Sequence, residues 1–454
     1  MMYNRFRAKF QTYLAKGRTT QILRLDTLPS KLEGLGLKPQ FSNGGTMKVY
    51  LIKISAGSDY SKYKAETGGP PQNIFSTAAA TPESVELEMS DETIGMKTDL
   101  QSDAELIAIF MSTPDTLRAY ELAKVFKSQG KTIVLGGLHT KFNQDEALEH
   151  GDTLLIGEPE GVWEQLLEDF KNSRLKEKYE RNTPVDLSEL RPYPTDIIHP
   201  KQYDYTWSVV VGRGCPNKCE FCLVHRFFDG CRFRPIANIV DEVRRLKEMG
   251  VTWVELHADN LTANRKFALN LFRALAPLNM NFYGETTILI AKDKELLQAA
   301  RAAGLKALLF GIETPSKAAL AAQGKQFVKP EKVREYIATV KNYGIEVWGD
   351  FLFGFDEHTP EIFEETADFL REIKMDRVFH HLVIPFPGSR LYQKLDEQGR
   401  ILTRDWSQYD GSHVVFQPKQ MPPEMLGDGV YNLWLSSLGS IRSFLSWIMP
   451  KAWR

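Results

Sequence analysis

The sequence predicts an α/β protein in which two blocks of alternating strands and helices follow one another. Short apolar runs of strand length alternate with segments of helical periodicity over residues 47–170, and the alternation resumes at residue 205. At 454 residues, 43% hydrophobic and 25% charged, the chain is long enough for two or three domains. Residues 171–204 separate the blocks and are rich in charge and proline, which indicates a linker.

The first block, residues 47–170, predicts a Rossmann-like doubly wound sheet. An amphipathic helix is expected at 114–130, where Gly130 ends the periodic pattern. Strands are expected at 47–55, 104–112, 131–137 and 152–160. Sheets of this kind hold their ligands in a crevice at the carboxyl ends of the strands.

The second block, residues 205–395, predicts a partial (β/α)6 barrel of the TIM type. Its strands are expected at about 207–212, 252–257, 281–286, 306–312, 345–353 and 376–384. The intervening helices show the 3.6-residue period, as at Val333, Ile337 and Val340. Catalytic groups in such barrels gather at the carboxyl ends of the strands.

The terminal segments lack this alternation. Residues 1–46 carry eight Lys or Arg residues against two acids, which indicates a solvated basic arm, with a membrane or partner contact as the alternative. Residues 396–454 predict a mainly helical extension that contains the aromatic stretch DWSQYDGSHVVF and ends in an apolar helix. Domain packing or a lid is the favoured role of that helix, and peripheral membrane contact is the alternative.

Charge and hydropathy exclude two classes of function. The formal net charge is −1, so nothing indicates bulk nucleic-acid binding. No apolar run reaches the roughly 18 residues that a membrane-spanning helix needs, and no secretory h-region opens the chain. We therefore expect a soluble protein in the reducing cytoplasm.

All four cysteines lie within residues 215–231, and three of them stand in the run GRGCPNKCEFC. Cys215, Cys219 and Cys222 form the spacing Cys-x3-Cys-x2-Cys, and three thiolates on one tight loop can bind three irons of a 4Fe-4S cluster. The fourth iron is then open to an exogenous chelator. A zinc site with Cys231 as fourth ligand and a disulfide are the alternatives, although zinc sites usually pair two Cys-x2-Cys hooks.

The cysteine run resembles the cluster loop of the radical S-adenosylmethionine (SAM) superfamily. The runs PPQNIF, IVLGGLHT, LLIGEPEGVW, ADNLTANR, LLFGIETPS, FLFGFDEHT and IPFPGSRLYQKL also stand in the order typical of radical SAM proteins with an N-terminal cobalamin-binding domain. The resemblance covers roughly residues 47–400. Members of that class modify hopanoids, bacteriochlorophyll precursors, antibiotics and phosphonates.

The resemblance implies reductive cleavage of SAM to methionine and a 5′-deoxyadenosyl radical that attacks an unactivated carbon. A flavodoxin- or ferredoxin-type protein would supply the electron, and the substrate would be a small molecule or natural product. Cobalamin-dependent C-methylation is the first expectation. Cobalamin-independent oxidation, cyclisation or rearrangement of a tetrapyrrole-like or other large substrate is the alternative, and a non-catalytic iron-sulfur or zinc protein is the remote one.

The resemblance also implies the residues of the site. It assigns the three motif cysteines to the cluster, Phe221 to the neighbourhood of the adenine, and Gly136, Gly137, Gly157 and Glu158 to the cobalamin crevice. Residues where barrel strands end, most of them polar or glycine, are candidate SAM contacts, and they are Asp259, Asn260, Glu285, Thr287, Gly311, Glu313, Gly349, Phe353 and Pro385. For Asp259 and Asn260 a helix cap is the alternative. Glu285 and Glu313 are the candidate catalytic carboxylates for the cationic part of SAM, with a structural salt bridge as the alternative.

Two departures from the family pattern affect these expectations. The loop after the first strand, SAGSDYSKYKAETGGPP, lacks the histidine of the Asp-x-His-x-x-Gly motif that ligates cobalt in other cobalamin domains. Ala258 stands where the usual motif has an aspartate, and Leu261 stands where it has phenylalanine. His139 is a further candidate crevice contact, although a hydrogen-bonded loop histidine is the favoured interpretation.

Overall fold

The computed structural model describes residues 46–55 and 69–437. Over these ranges the chain forms two six-stranded parallel sheets and a two-stranded antiparallel ribbon. No helix in the described ranges is long and apolar enough to cross a membrane. The predicted basic arm, the loop after the first strand and most of the last apolar helix lie outside the described residues.

The first sheet has the strand order β2-β1-β3-β4-β5-β6. Its strands are β1 Lys48–Lys53, β2 Glu86–Asp91, β3 Leu106–Phe110, β4 Thr132–Gly136, β5 Thr153–Ile156 and β6 Lys178–Glu180. Its helices are α1 Gln72–Ala80, α2 Thr116–Ser128, α3 Leu138–Phe142, α4 Gln144–His150 and α5 Val162–Lys171. The chain changes direction across the sheet at β1, and such a switch point opens a crevice at the carboxyl ends of the flanking strands.

The second sheet has the order β14-β13-β12-β11-β10-β7, so each strand pairs with the preceding strand of its own sheet. Its strands are β7 Thr206–Val210, β10 Trp253–His257, β11 Asn281–Thr286, β12 Leu305–Glu313, β13 Glu346–Phe353 and β14 Arg377–Leu382. Its helices are α7 Ile236–Glu248, α8 Arg265–Leu275, α9 Lys294–Ala303, α10 Lys317–Ala322, α11 Pro330–Asn342, α12 Ile362–Ile373 and α13 Arg390–Glu397. All six strands are parallel, so their carboxyl ends meet at one edge.

Three further elements complete the fold. The antiparallel ribbon pairs β8 Gly212–Arg213 with β9 Arg232–Phe233, and the short helix α6 Val224–Phe227 lies in the loop between them. Helix α14 spans Pro423–Ser437 and packs against α12, where a Cβ on Gly429 would lie 2.2 Å from the Phe363 ring. Trp406 and Tyr409 of the C-terminal extension are buried, which agrees with a packing role for this part of the chain.

All ten predicted strands are present, and most are shorter than their apolar runs. Four strands were not predicted, namely the ribbon strands β8 and β9 and two strands of the first sheet, β2 and β6. β2 has the sequence ELEMSD, whose one exposed position is Glu86, and β6 is three residues long within the predicted linker. β6 pairs with β5, so the start of the predicted linker is part of the first sheet.

An aromatic cluster joins the two sheets through the remainder of the predicted linker. Phe75 on α1 lies 5.5 Å from both Tyr193 and Trp207 and 6.0 Å from Tyr203, measured between ring centroids. The Tyr203 hydroxyl donates to the buried carboxylate of Asp91 at 2.6 Å. One continuous apolar core therefore runs from the first sheet into the second.

Truncation of this cluster should destabilise both sheets together. We expect Phe75→Ala to lower the free energy of unfolding by about 3–5 kcal/mol, because the ring is fully buried. Urea denaturation followed by circular dichroism and tryptophan fluorescence measures the change, with Leu117→Ala at a 49% exposed position as the control. A loss no larger than that of the control would contradict a shared core.

Candidate active site

The four cysteines lie on a loop that begins and ends at the antiparallel ribbon of β8 and β9, here called the neck of the loop. Gly212 pairs with Phe233 and Arg213 with Arg232, so residues 214–231 project from the ribbon as one loop, here called the cysteine loop. Gly214 has φ of +84°, and a Cβ there would lie 1.8 Å from the Gly230 carbonyl oxygen. Only glycine therefore fits directly before Cys215.

The cysteine loop lies across the carboxyl edge of the second sheet. It contacts the segments that follow four of its strands. The Gly214 N–H donates to the Asp259 carboxylate at 2.7 Å, the Glu220 N–H donates to the Gln323 carbonyl at 3.3 Å, the Phe221 ring lies 5.9 Å from that of Phe355, and the Leu391 N–H donates to the Glu220 carbonyl at 3.0 Å. The sheet edge therefore fixes the position of the thiols.

The three motif thiols are desolvated and interact electrostatically. Burial raises the pKa of Cys222 to about 12 and raises the pKa values of Cys215 and Cys219, and neighbouring thiolates add to the effect at Cys219 and Cys222. The side chain of Lys325 opposes it at Cys215 and Cys219. Stable thiolates here require further positive charge, which an iron-sulfur cluster would supply.

The three motif thiols are the donor set that a 4Fe-4S cluster takes. Cys215, Cys219 and Cys222 lie on one loop, and in such a cluster each thiolate binds a separate iron. Zinc instead needs its ligands around one point.

Lys325 and Glu313 form a buried ion pair beside the thiols. The Lys325 ammonium also donates to the Gly311 carbonyl at 3.1 Å and lies 6.0 Å from the centroid of the Phe221 ring. A Cβ at Gly311 would lie 2.3 Å from the Glu313 carboxylate, so glycine is needed for the pair to form. Burial disfavours the charge of Lys325, but Glu313 and Cys219 outweigh it and raise the lysine pKa.

Glu313 adopts a backbone conformation that is rare for a residue with a side chain. Its φ is +66°, at a register shift where β12 ends against β13. Strained residues of this kind cluster at functional sites. Lys325 did not stand out in the sequence, because it lies twelve residues beyond Glu313, past helix α10, and no local motif marks it.

The other predicted contacts on β10 and β11 lie at the same edge. Asp259 holds the Gly214 N–H, and the buried Asn260 accepts a hydrogen bond from the Thr286 hydroxyl at 3.0 Å. Glu285 is exposed. Burial raises the pKa of the nearby Tyr283, and the charges of Glu255 and then Glu285 raise it further. Thr287 precedes the 3₁₀ turn Ile288–Lys292. Their assignment as SAM contacts stays a prediction.

The contacts predicted on β13 and β14 pack in the protein interior. A Cβ at Gly349 would lie 2.4 Å from the Met375 side chain, and the Phe353 ring stacks on Phe363 at 5.8 Å. Pro385 is buried after β14. Packing alone therefore explains Gly349 and Phe353, and their role as cofactor contacts stays a prediction.

The predicted crevice residues of the first sheet have different surroundings. A Cβ at Gly137 would lie 2.3 Å from the Met111 carbonyl oxygen, so this glycine serves the packing of β4 against the end of β3. A Cβ at Gly136 would contact the Phe110 ring at 3.0 Å. Gly157 is open, with only the Lys141 ammonium within 4 Å of a Cβ. Gly157 is thus the better probe of a ligand in the crevice.

His139 is buried beneath the C-terminal extension. Its Nδ1 lies 3.3 Å from the Asn143 amide, and its ring lies 5.3 Å from that of Trp406. The Trp406 indole N–H donates to the Glu146 carboxylate at 3.0 Å. The favoured interpretation of a hydrogen-bonded loop histidine is therefore right about the hydrogen-bond partner and wrong about the loop, because His139 lies in helix α3.

Comparison with known proteins defines the class of enzyme. Residues 209–370 match the Radical SAM superfamily. The chain is 29% identical over 364 residues to bacteriochlorophyllide d C-8(2)-methyltransferase of Chlorobaculum tepidum, which covers 76% of this chain and 80% of that protein. The chain carries a radical SAM domain and is an enzyme of the radical SAM type.

Two further similarities concern a second relative and the fold. Over 369 residues the chain is 27% identical to anaerobic magnesium-protoporphyrin IX monomethyl ester cyclase of Cereibacter sphaeroides, covering 74% of this chain and 59% of that protein. The fold is similar to that of the radical SAM methyltransferase TsrM from Kitasatospora setae, whose structure contains cobalamin and a 4Fe-4S cluster. The TM-score is 0.64 at 16% identity, and 78% of each chain is covered.

Removal of Lys325 should make Cys219 harder to alkylate. Lys325→Met removes a charge that lowers the thiol pKa, so alkylation of Cys219 should require higher pH. Iodoacetamide labelling of metal-free protein across pH, read by mass spectrometry, measures the shift. An unchanged labelling profile, or a shift to lower pH, would contradict the electrostatic account.

Proposed function

We propose that this chain reductively cleaves SAM at a 4Fe-4S cluster held by Cys215, Cys219 and Cys222. The observation that carries the proposal is the placement of three desolvated thiols on one loop across the carboxyl edge of the second sheet. When bound, such a cluster supplies one electron to the sulfonium of SAM and thereby a carbon-centred radical. The match to the Radical SAM superfamily supports the same conclusion.

We infer the finer architecture from the order of strands. The first sheet fits a Rossmann-like cobalamin-binding-type domain that extends from residue 47 past the predicted boundary at 170 and includes β6, so the linker before residue 205 is shorter than the predicted 171–204. The second fits a partial (β/α)6 barrel at 205–395, with an extension at 396–454. The sequential strand order of the second sheet and the switch point at β1 of the first support this division.

Individual residues have separate tasks in this scheme. Asp259 orients the loop by accepting from the Gly214 N–H, and Lys325 offsets thiolate charge. Glu285 and Glu313 are the candidate carboxylates for the cationic part of SAM, and Glu313 is in addition paired with Lys325. Burial of the thiols keeps water from the reacting atoms, which a radical reaction requires.

Cobalamin-dependent methylation of an unactivated carbon is the reaction we propose. The methyltransferase similarity supports it, as does the open Gly157 at the carboxyl end of β5. A side chain added at Gly157 would meet only the Lys141 ammonium within 4 Å, whereas one added at Gly137 would clash with the Met111 backbone. Residues 56–68 contain no histidine, so we expect that loop to leave cobalt without a protein histidine ligand.

A second reaction has its own support. The similarity to a magnesium-protoporphyrin cyclase favours oxidation or cyclisation of a tetrapyrrole-like substrate. In either case we expect a small-molecule or natural-product substrate, a cytoplasmic location and an electron donor of the flavodoxin or ferredoxin type. Copurification of a corrinoid separates methylation from a cobalamin-independent reaction.

The cluster assignment predicts which cysteines are essential. Anaerobically reconstituted wild-type protein should bind about four irons per chain and cleave SAM, and Cys219→Ala should abolish both. Cys231→Ser is the control, because Cys231 lies outside the motif and should be dispensable. Iron analysis measures cluster binding, and detection of 5′-deoxyadenosine by mass spectrometry measures SAM cleavage. Stoichiometric zinc without SAM cleavage would refute the assignment.

The crevice predicts a selective loss of cobalamin. Protein produced with ample cobalamin should carry a corrinoid absorption band, and Gly157→Leu should reduce the bound corrinoid at least tenfold by filling the crevice. Gly130→Leu is a matched control, because φ is +79° at Gly130 and +80° at Gly157, and nothing lies within 4 Å of a Cβ at Gly130. Equal corrinoid content in both variants, or none in active wild-type enzyme, would exclude this site.

A further inference from the structure

One carboxylate of the first sheet binds both sides of the neck of the cysteine loop. Arg213 and Arg232 are paired in register across the ribbon, where the loop begins and ends. Glu158 accepts from Arg213 at 2.7 Å through one oxygen and from Arg232 at 2.7 Å through the other. Glu158 follows β5, so the neck is held from outside its own sheet.

Arg213 has further partners on the first sheet. Its two terminal nitrogens donate to the two carboxylate oxygens of Glu160 at 3.0 and 2.8 Å, and one of them donates to the Ser76 hydroxyl at 3.0 Å. Such a fork of donors fixes direction as well as distance. Arg232 in addition donates to the Val185 carbonyl at 2.6 Å.

These charges are balanced and desolvated. The Arg213 side chain is 2% exposed, and those of Glu158 and Glu160 are 10% and 15% exposed. Two arginines face two glutamates, so removal of one carboxylate leaves a buried cation without full compensation. Breaking such a group by removing one partner is far more costly than losing a surface ion pair.

The position of this group links the two candidate ligand sites. Arg213 lies two residues before Cys215, and Glu158 lies next to the open Gly157 of the crevice. We propose that Glu158 and Arg213 are positioning residues that fix the cysteine loop relative to the crevice beside Gly157, so that the two sites act on one substrate. The coupling of the two sites rests on the function proposed above, whereas the hold on the loop does not.

The hold on the loop can be tested in metal-free protein. Glu158→Gln should increase deuterium exchange of the backbone amides in residues 214–231 about tenfold, because the neck loses its bridge to the first sheet. Amide exchange at fixed pH does not report thiol ionisation, so altered charge near the cysteines does not confuse the result.

A matched control separates positioning from stability. Glu242 forms an equally buried ion pair with Arg234, at 4% and 2% exposure, and both residues lie in the second block. Glu242→Gln should cost comparable stability and leave exchange in residues 214–231 near the wild-type rate. Equal acceleration in both variants, or none in either, would overturn the proposal. If Glu158→Gln fails to fold, Arg213→Lys keeps the charge but loses the fork, and it should give an intermediate acceleration.

A second measurement tests the coupling in reconstituted enzyme. Glu158→Gln should retain iron and SAM cleavage but form several-fold less product for each 5′-deoxyadenosine, whereas Glu242→Gln should keep the wild-type ratio. An unchanged ratio in Glu158→Gln would refute the coupling. Failure of wild-type protein to bind iron would refute the proposed function, and the exchange measurement would still decide whether Glu158 holds the loop.

Discussion

The balance of buried charge around the cysteine loop is the constraint on which the rest of the site depends. Three thiols lie in a desolvated position, and burial alone would keep them protonated. The nearest compensation is Lys325, whose own charge is maintained by Glu313. Each charge therefore requires a partner, and the partners Lys325 and Glu313 both lie outside the cysteine loop.

The sequence was sufficient to predict every strand of the second sheet and the four inner strands of the first sheet, but not the two edge strands of the first sheet, β2 and β6. Runs such as LIAIF at β3 are buried along their whole length, so hydrophobicity alone identified them. β2 and β6 escaped because an edge strand has fewer buried positions, and KYE has only one. The predicted linker at 171–204 was too long, because its charged and proline residues gave no sign of strand β6 or of the buried Tyr193 and Tyr203.

At the site, local motifs predicted which residues lie together, whereas ion-pair partners far apart in sequence were not predicted. The cysteine spacing and the rule of carboxyl strand ends correctly brought Asp259 and Asn260 to the edge where the cysteine loop lies. The partners of Glu158 and Glu313 were not foreseeable, because an ion pair between residues far apart in sequence leaves no periodic signal. The glycines showed a similar limit. Gly137 and Gly157 both follow strands of one sheet, yet a Cβ would clash at the first and fit at the second.

Two kinds of interaction join the sheets, and they have different consequences. The aromatic cluster around Phe75 buries apolar surface, which stabilises contact but sets direction weakly. The fork of Arg213 sets direction, because its donors meet Glu158, Glu160 and Ser76 at once. In the reaction proposed above, a radical formed at the edge of the second sheet has to meet a group held by the first sheet before it is lost. The contact that sets direction therefore lies at the neck of the cysteine loop, where it fixes the position of the loop that carries the thiols.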